Sequence, residues 1–414
     1  MVTAPYHPRD VDSLLTEMLA THSAVWITGP RACGKSTTAK RFARTVVQLD
    51  QAGAAAAFEA DPDAALRGLP SPVLLDEWQI VPGVLGAIKR TVDADPSPGR
   101  FIVTGSARAA LDTPTWPGTG RLVHLPMWGM TQGEIDGTSA SIPFIDRLAG
   151  GDSIAARVTP PDLRGYLERA LRGGFPEPAL RLSGRARERF YDSYIEQMVQ
   201  RDAALVDRAR DPDRLRRYFE ATALHTADVV EDQTLFRAAG IVRTTAVAYD
   251  GLLRGLSIMD DLPAWHSNRL KRLVKTAKRQ VVDPALTAGI LRVDVDAVLR
   301  DGGLLGRLLD CFVVAQMRPQ LPLSRFRPRM HHLRVEQGRH EVDLLVELAG
   351  GRLLAFEIKA SAAPTADDAR HLAWLRDSLG DAFVAGVVLH TGPRVFPLGD
   401  RLQAIPIACV WQGP

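Results

Sequence analysis

The chain has 414 residues, with 51 Lys and Arg against 48 Asp and Glu, a net charge of +3. That length predicts two or three domains, each able to bury its own core, and the charge balance excludes a histone-like or polyacidic chain while leaving room for a local basic surface. With 46% hydrophobic and 24% charged residues, the composition is globular and excludes wholesale disorder.

The three cysteines, Cys33, Cys311 and Cys409, are far apart and form no CxxC pair. A zinc ribbon or a disulfide framework is therefore not expected. The opening MVTAPYHPRDVDSLL has neither a basic nor an apolar signal region. No apolar run reaches the roughly 18 residues of a membrane span. A soluble, cytoplasmic protein with no membrane partner is the expectation.

The first third alternates apolar runs with helical stretches. AVWITG (24–29), SPVLLDEW (71–78), GRFIVTGS (99–106) and RLVHLPM (121–127) read as strands. KSTTAKRFART after the first and the Ala-rich 52–69 read as helices. This order predicts an α/β fold with a parallel sheet covered on both faces. Gly, Ser and Pro over 136–162 suggest a linker.

Gly29-Pro30-Arg31-Ala32-Cys33-Gly34-Lys35-Ser36 matches G-x-x-x-x-G-K-[ST], after a strand and opening a helix. Such a loop wraps phosphate oxygens with its N–H groups, and the helix N-terminus, continuing through Thr37, adds a favourable dipole. Lys35 would reach the β- and γ-phosphates, and the Ser36 hydroxyl would ligate Mg2+. The cofactors expected are thus ATP and Mg2+. The strand VLLDE delivers Asp76 to its carboxyl end, where it can hold magnesium through water, and Glu77 is placed to polarise the attacking water. On the next strand Thr104 and Ser106 both qualify as a hydroxyl beside the γ-phosphate. Arg108 and Arg121 follow as candidates for an arginine finger supplied by a neighbouring subunit of a homo-oligomer, the alternative being solvated surface arginines.

These residues resemble the AAA-type ATPases, and more closely a bacterial and archaeal family of AAA ATP-binding proteins whose C-terminal half is a domain of unknown function. The phrases DEWQ, TGS, Gly120-Arg121…Leu125-Pro126 and NRLKRLVKTAKRQVVDPAL carry that resemblance. Cys33 in the loop and Asp283-Pro284 depart from the family pattern without removing a phosphate ligand.

From 162 the pattern turns helical. LRGYLERALRGG (163–174), FYDSYIEQMVQRDAALV (190–206) and DRLRRYFEATALHT (213–226) have helical periodicity. Two short helices around Ala239-Gly240-Ile241 (232–256) read as helix-turn-helix, with the acid-free segment NRLKRLVKTAKRQ (268–280) as a wing. Arg243, Thr244 and Thr245 open the second helix. With Arg269, Lys271, Arg272, Lys275, Lys278 and Arg279 they are the residues expected to meet nucleic acid, DNA in particular.

The last part reads α-β-β-β-α-β: a helix over 302–317, three strands, a helix over 366–380 and a strand over 385–392. This resembles the PD-(D/E)XK nuclease superfamily. The resemblance implies a metal-binding pair, Asp343 and Glu357, with Lys359 near the scissile phosphate and Asp310 as a further acid. Glu357 and Lys359 share a strand face. The expected division is therefore 1–160 ATPase, 161–230 helical lid or linker, 231–300 winged-helix-like and 301–414 nuclease-like. The leading functional reading is an ATP-hydrolysing protein that engages nucleic acid. Its rival is an ATP-controlled switch or scaffold read by a protein partner, its nuclease-like domain not cutting. A small-molecule kinase fits the loop but not the acidic pair or the large C-terminal half.

Overall fold

The computed structural model describes residues 6–105, 118–156, 159–202, 211–268, 275–335 and 339–413. They divide into two compact units, Met1–Met130 with Gly255–Ser257, and Thr131–Arg254 with Ile258–Pro414.

The first unit runs α1 (Val11–Thr21), β1 (Ala24–Thr28), α2 (Lys35–Phe42), β2 (Thr45–Gln48), α3 (Ala52–Ala60), α4 (Pro62–Leu66), β3 (Val73–Asp76), α5 (Val84–Ala94), β4 (Phe101–Thr104) and β5 (Leu122–Pro126). The sheet is wholly parallel, in the order β2-β3-β4-β1-β5. Its central strands are apolar throughout because both faces are buried. Val25, Ile27, Leu74 and Ile102 face α1 and α2. Ala24, Val73, Leu75, Phe101 and Val103 face α5. The four expected strands are present. A fifth, β2, lies where the sequence reading ran a helix through Arg44 and Thr45. The β-branched run Thr45-Val46-Val47 favours extension there.

The second unit begins with eleven α-helices among its described residues. They are α6 (Gln132–Asp136), α7 (Phe144–Gly150), α8 (Leu163–Arg172), α9 (Pro176–Leu180), α10 (Gly184–Gln197), α11 (Pro212–Leu224), α12 (Asp232–Ala238), α13 (Arg243–Gly255), α14 (Pro284–Leu291), α15 (Val295–Arg300) and α16 (Gly302–Met317). Then come β6 (Arg329–Val335), β7 (His340–Glu347), β8 (Leu353–Lys359), α17 (Arg370–Leu379), β9 (Phe383–His390), β10 (Phe396–Gly399) and β11 (Leu402–Pro406). The sheet order is β10-β11-β9-β8-β7-β6. Strands β6, β7 and β8 are antiparallel, whereas β8, β9 and β11 run parallel. One face packs on α7 and α16 through Phe144, Phe312 and Phe356, and the other on α17 through Leu372 and Leu375. The α-β-β-β-α-β order is present, extended by β10 and β11.

Two expectations change here. The segment read as a linker contains α7, whose Phe144 and Ile145 are fully buried under the second sheet. The three segments expected after residue 160 form one unit that starts at Thr131. Asp283-Pro284, the departure from the family pattern, opens a helix: Asp283 Oδ1 accepts from Ala285 N at 2.9 Å and Pro284 takes the first helical position.

The expected wing is a short ribbon at its root. Leu262 and Lys278 exchange backbone bonds of 2.9 and 2.8 Å, and Asp260 N donates to Gln280 O. Just beyond, Trp265 N donates to His332 O and His332 N to Pro263 O, so the ribbon is seated on the edge strand β6.

Candidate functional site

The loop from Gly29 to Gly34 joins the carboxyl end of β1 to α2. Its backbone has left-handed residues at Ala32 (φ 60) and Gly34 (φ 101). At Gly29 (φ 147) a Cβ would lie 1.8 Å from Met127 O, so only glycine fits. Lys35 Nζ donates to Gly29 O at 3.0 Å and Pro30 O at 2.8 Å. Buried Arg9 braces the loop from outside, donating to Cys33 O and Trp128 O, each at 2.9 Å. Arg9 escaped the sequence reading because it belongs to no phosphate-binding motif.

Asp76 ends β3, directly opposite Thr104 at the end of β4. Its Oδ1 accepts from Ser36 Oγ at 2.7 Å and from Thr104 Oγ1 at 2.5 Å. The three expected motifs therefore converge on one carboxylate oxygen. A hydroxyl and a carboxylate supply hard oxygen donors, and the pair fits Mg2+. Glu77 follows in a left-handed conformation, φ 57, which turns it out of the strand line. Gln79 Nε2 donates to Glu77 Oε2. A Cβ on Gly105 would lie 2.3 Å from Gln79 Oε1, so the glycine of TGS leaves room for the glutamine of DEWQ. Gln79 as the partner of Glu77 is a site residue that motif reading missed. Thr104, of the two hydroxyls considered, meets Asp76. Ser106 and Arg108 lie outside the described residues.

Arg121 is placed differently from expectation. It precedes β5, whose Leu122 pairs with Ala24 at the start of β1, while Pro126 pairs with Thr28 beside the loop. Four residues of strand, about 13 Å, thus separate it from its own phosphate loop. It is engaged with Asp93 Oδ1 at 2.9 Å. Arg121 is therefore placed away from its own subunit's phosphate loop, as a partly exposed ion-pair partner of Asp93.

In the second unit Asp343 on β7 and Glu357 and Lys359 on β8 are brought together. Asp343 Oδ2 accepts from Ile358 N at 2.9 Å, and Lys359 Nζ bonds Glu357 Oε2 at 3.0 Å. Burial, then the neighbouring Asp343, pushes the Glu357 carboxyl well above its usual range. Asp310 of α16 joins them, bridged by Lys278, whose Nζ lies 2.9 Å from Asp310 Oδ2 and 3.8 Å from Asp343 Oδ1. Burial opposes the lysine's charge, but the two carboxylates outweigh it and hold the ammonium above the ordinary lysine range. The divalent ion expected at Asp343 and Glu357 fits poorly, because three of their four carboxylate oxygens are already engaged: Lys359 holds Glu357 Oε2, the Ile358 N–H holds Asp343 Oδ2, and the Lys278 ammonium stands 3.8 Å from Asp343 Oδ1. Among the described residues no group of three His, Cys, Asp or Glu is arranged to hold a metal.

Lys278 is therefore not a nucleic-acid contact, and neither is Arg279. Both are 4% exposed. Arg279 bonds Asp250 at 2.9 and 3.0 Å and Asp232 at 2.6 Å. Tyr218 OH completes the network at Asp250 Oδ1. Buried cations must be paired, and these are paired inside the protein. Arg269, Lys271 and Arg272 lie outside the described residues. Lys275 is half-buried, Arg243 and Thr244 are exposed, and Thr245 is half-buried.

Residues 21–136 match the AAA domain model. Residues 163–297 and 305–410 match two domains of unknown function, DUF8612 and DUF4143. Over 405 residues the chain is 27% identical to the uncharacterized proteins Rv2008c of Mycobacterium tuberculosis and Mb2031c of Mycobacterium bovis, covering 96% of this chain and 83% of each relative. Among solved structures, the Walker-type ATPase PABY2304 of Pyrococcus abyssi aligns with a TM-score of 0.40 at 14% identity, over 70% of this chain and 96% of that one. The ORC1 protein of Aeropyrum pernix, solved in complex with DNA, aligns with a TM-score of 0.31 at 13% identity, over 72% and 95%. No helix among the described residues is long and apolar enough to cross a membrane.

Proposed function

We propose that the AAA-type first unit binds Mg-ATP at the Gly29–Ser36 loop and hydrolyses it. The observation that carries this reading is the pair of hydrogen bonds that Asp76 Oδ1 accepts from the hydroxyls of Ser36 and Thr104, beside the phosphate loop. The loop N–H groups and Lys35 hold the phosphates. Ser36 and Asp76 would hold Mg2+, which neutralises charge on the β- and γ-oxygens when bound. Thr104 orients Asp76. Glu77 accepts a proton from the attacking water, and Gln79 fixes its carboxylate. Phosphate release by wild type, Lys35→Ala and Glu77→Gln tests the assignment. Loss of hydrolysis in both, with nucleotide binding kept in Glu77→Gln, supports it.

The second unit is proposed to engage nucleic acid through the start of α13, DNA being favoured. Arg243 and Thr244 are exposed there, and Val242 and Val247 are 66% and 61% exposed. An arginine and a hydroxyl suit phosphates and base edges, and valine methyls suit a thymine methyl. Binding that falls steeply with salt and weakens in Arg243→Glu supports this. The competing reading, an ATP-controlled switch with a non-cutting C-terminal module, draws support from the internal neutralisation of Asp310 and Asp343. Unchanged nucleic-acid affinity in Arg243→Glu favours it.

A further inference from the structure

Three carboxylates and two ammonium groups meet where α16, β7, β8 and the backbone pairing of Leu262 with Lys278 come together. Asp310, Asp343 and Glu357 carry up to three negative charges, and Lys278 and Lys359 carry two positive ones. Glu357 is 4% exposed, and its Oε1 is buried without a hydrogen-bond partner. It faces the Asp343 carboxyl within bonding reach. Such a cluster demands cations, since adjacent buried carboxylates cannot all stay ionised unaided.

We propose that Lys278 is the resident cation of the Asp310–Asp343 pair and excludes a divalent metal from it. The Lys278 ammonium approaches the oxygens that an ion would need, at 2.9 Å from Asp310 Oδ2 and 3.8 Å from Asp343 Oδ1. It also donates to the Asp343 carbonyl at 3.2 Å. The other oxygen of Asp343 is committed to Ile358 N. A small divalent ion binds such oxygens at about 2.0–2.6 Å, so ion and ammonium cannot share the space.

The lysine is also tethered. Its backbone exchanges two hydrogen bonds with Leu262, and the next residue, Arg279, is locked to Asp250 and Asp232. Withdrawing Lys278 would break the ribbon and strand buried charge. The cluster's remaining charge imbalance is a single negative charge, which a proton on Glu357 removes. The C-terminal unit thus has a self-contained ionic centre, independent of the ATP reading.

The test is Mn2+ binding to the full, nucleotide-free chain, followed by paramagnetic resonance of the free ion. Wild type and Asp343→Asn should give the same titration, with no ion assigned to this cluster. Lys278→Ala should gain a single ion per chain, lost again in Lys278→Ala with Asp343→Asn, and Mn2+ should raise its Tm but not that of wild type. Wild-type binding that Asp343→Asn removes would overturn the proposal, whether or not the lysine variant folds. So would a folded Lys278→Ala that takes up no Mn2+. A Lys278→Ala chain that folds only with Mn2+ supports it.

Discussion

Ser36 and Asp76 stand 40 residues apart, and the Ser36 hydroxyl donates to Asp76 Oδ1 at 2.7 Å. They meet because β1 and β3 run parallel on either side of β4, so their carboxyl ends share one edge of the sheet. Thr104, at the end of the intervening strand, fills the gap and bonds the same oxygen. The loop, the acidic strand end and the hydroxyl strand end are one constellation, as sites at the carboxyl ends of parallel strands commonly are.

Lys35 holds the loop carbonyls of Gly29 and Pro30 and would trade those bonds for phosphate oxygens. Lys35→Ala should weaken Mg-ATP binding by about 10- to 100-fold, taking a charged hydrogen bond as ~1.5–3 kcal/mol. Titration with a fluorescent ATP analogue measures this. Wild-type affinity would remove Lys35 from the phosphate site.

Gln79 is assigned a positioning role, acting through Glu77. Gln79→Leu should lower kcat by about 10- to 100-fold, the cost of a small misplacement of a reacting group, with the Kd for ATP within about 2-fold of wild type. Gly105→Ala should act in the same direction, because its methyl would collide with Gln79 Oε1. A kcat unaffected by both changes would show that the Glu77–Gln79 bond does not matter to turnover.

Arg279 and Arg243 should separate cleanly. Arg279→Ala leaves buried Asp250 with only the more distant Arg254, at 3.6 Å, as a charge partner and should cost up to about 3–5 kcal/mol of stability, read as a lowered Tm. Arg243→Glu changes an exposed side chain. It should leave the Tm unchanged and weaken DNA binding, with a shallower dependence on salt. Equal loss of DNA binding in a fully folded Arg279→Ala would return that arginine to the interface.

His332 makes the second unit sensitive to acid. Burial holds its pKa at about 4, below the ordinary 6.5, and its Nε2 bonds Thr276 O at 3.1 Å. The unfolded chain therefore binds more protons between these values. The stabilisation is complete above the unfolded pKa and fades as pH falls from about 6.5 towards 4, by up to about 3 kcal/mol. His332→Gln should flatten the stability profile over that window in denaturant melts. An unchanged slope would show that this histidine does not titrate on unfolding.

The nucleotide constellation was legible because its chemistry is local: the spacing of Gly29 to Ser36 and the strand ends at Asp76 and Thr104 each carry their own signal. Strands β6 to β9 were equally plain from alternation and turn residues, whereas β10 and β11 were not read. The fate of Lys278 and Arg279 was not. Their segment contains no acid, so it reads as a solvated basic run, yet their partners Asp250, Asp310 and Asp343 come from positions 29 to 65 residues away. Helix α7 was hidden for a different reason. Its apolar core is only Phe144, Ile145 and Leu148, set in Gly, Ser and Pro, and it is tertiary burial that recruits it.

The central claim is that Glu77, delivered by β3 beside Asp76, drives ATP hydrolysis. The most direct measurement is Mg-dependent phosphate release by wild type and Glu77→Gln at saturating ATP, with bound nucleotide quantified in parallel. Wild type should turn over, and Glu77→Gln should bind ATP normally while hydrolysing it at least about 100-fold more slowly, the usual contribution of a general base. Hydrolysis by Glu77→Gln at the wild-type rate would contradict the account.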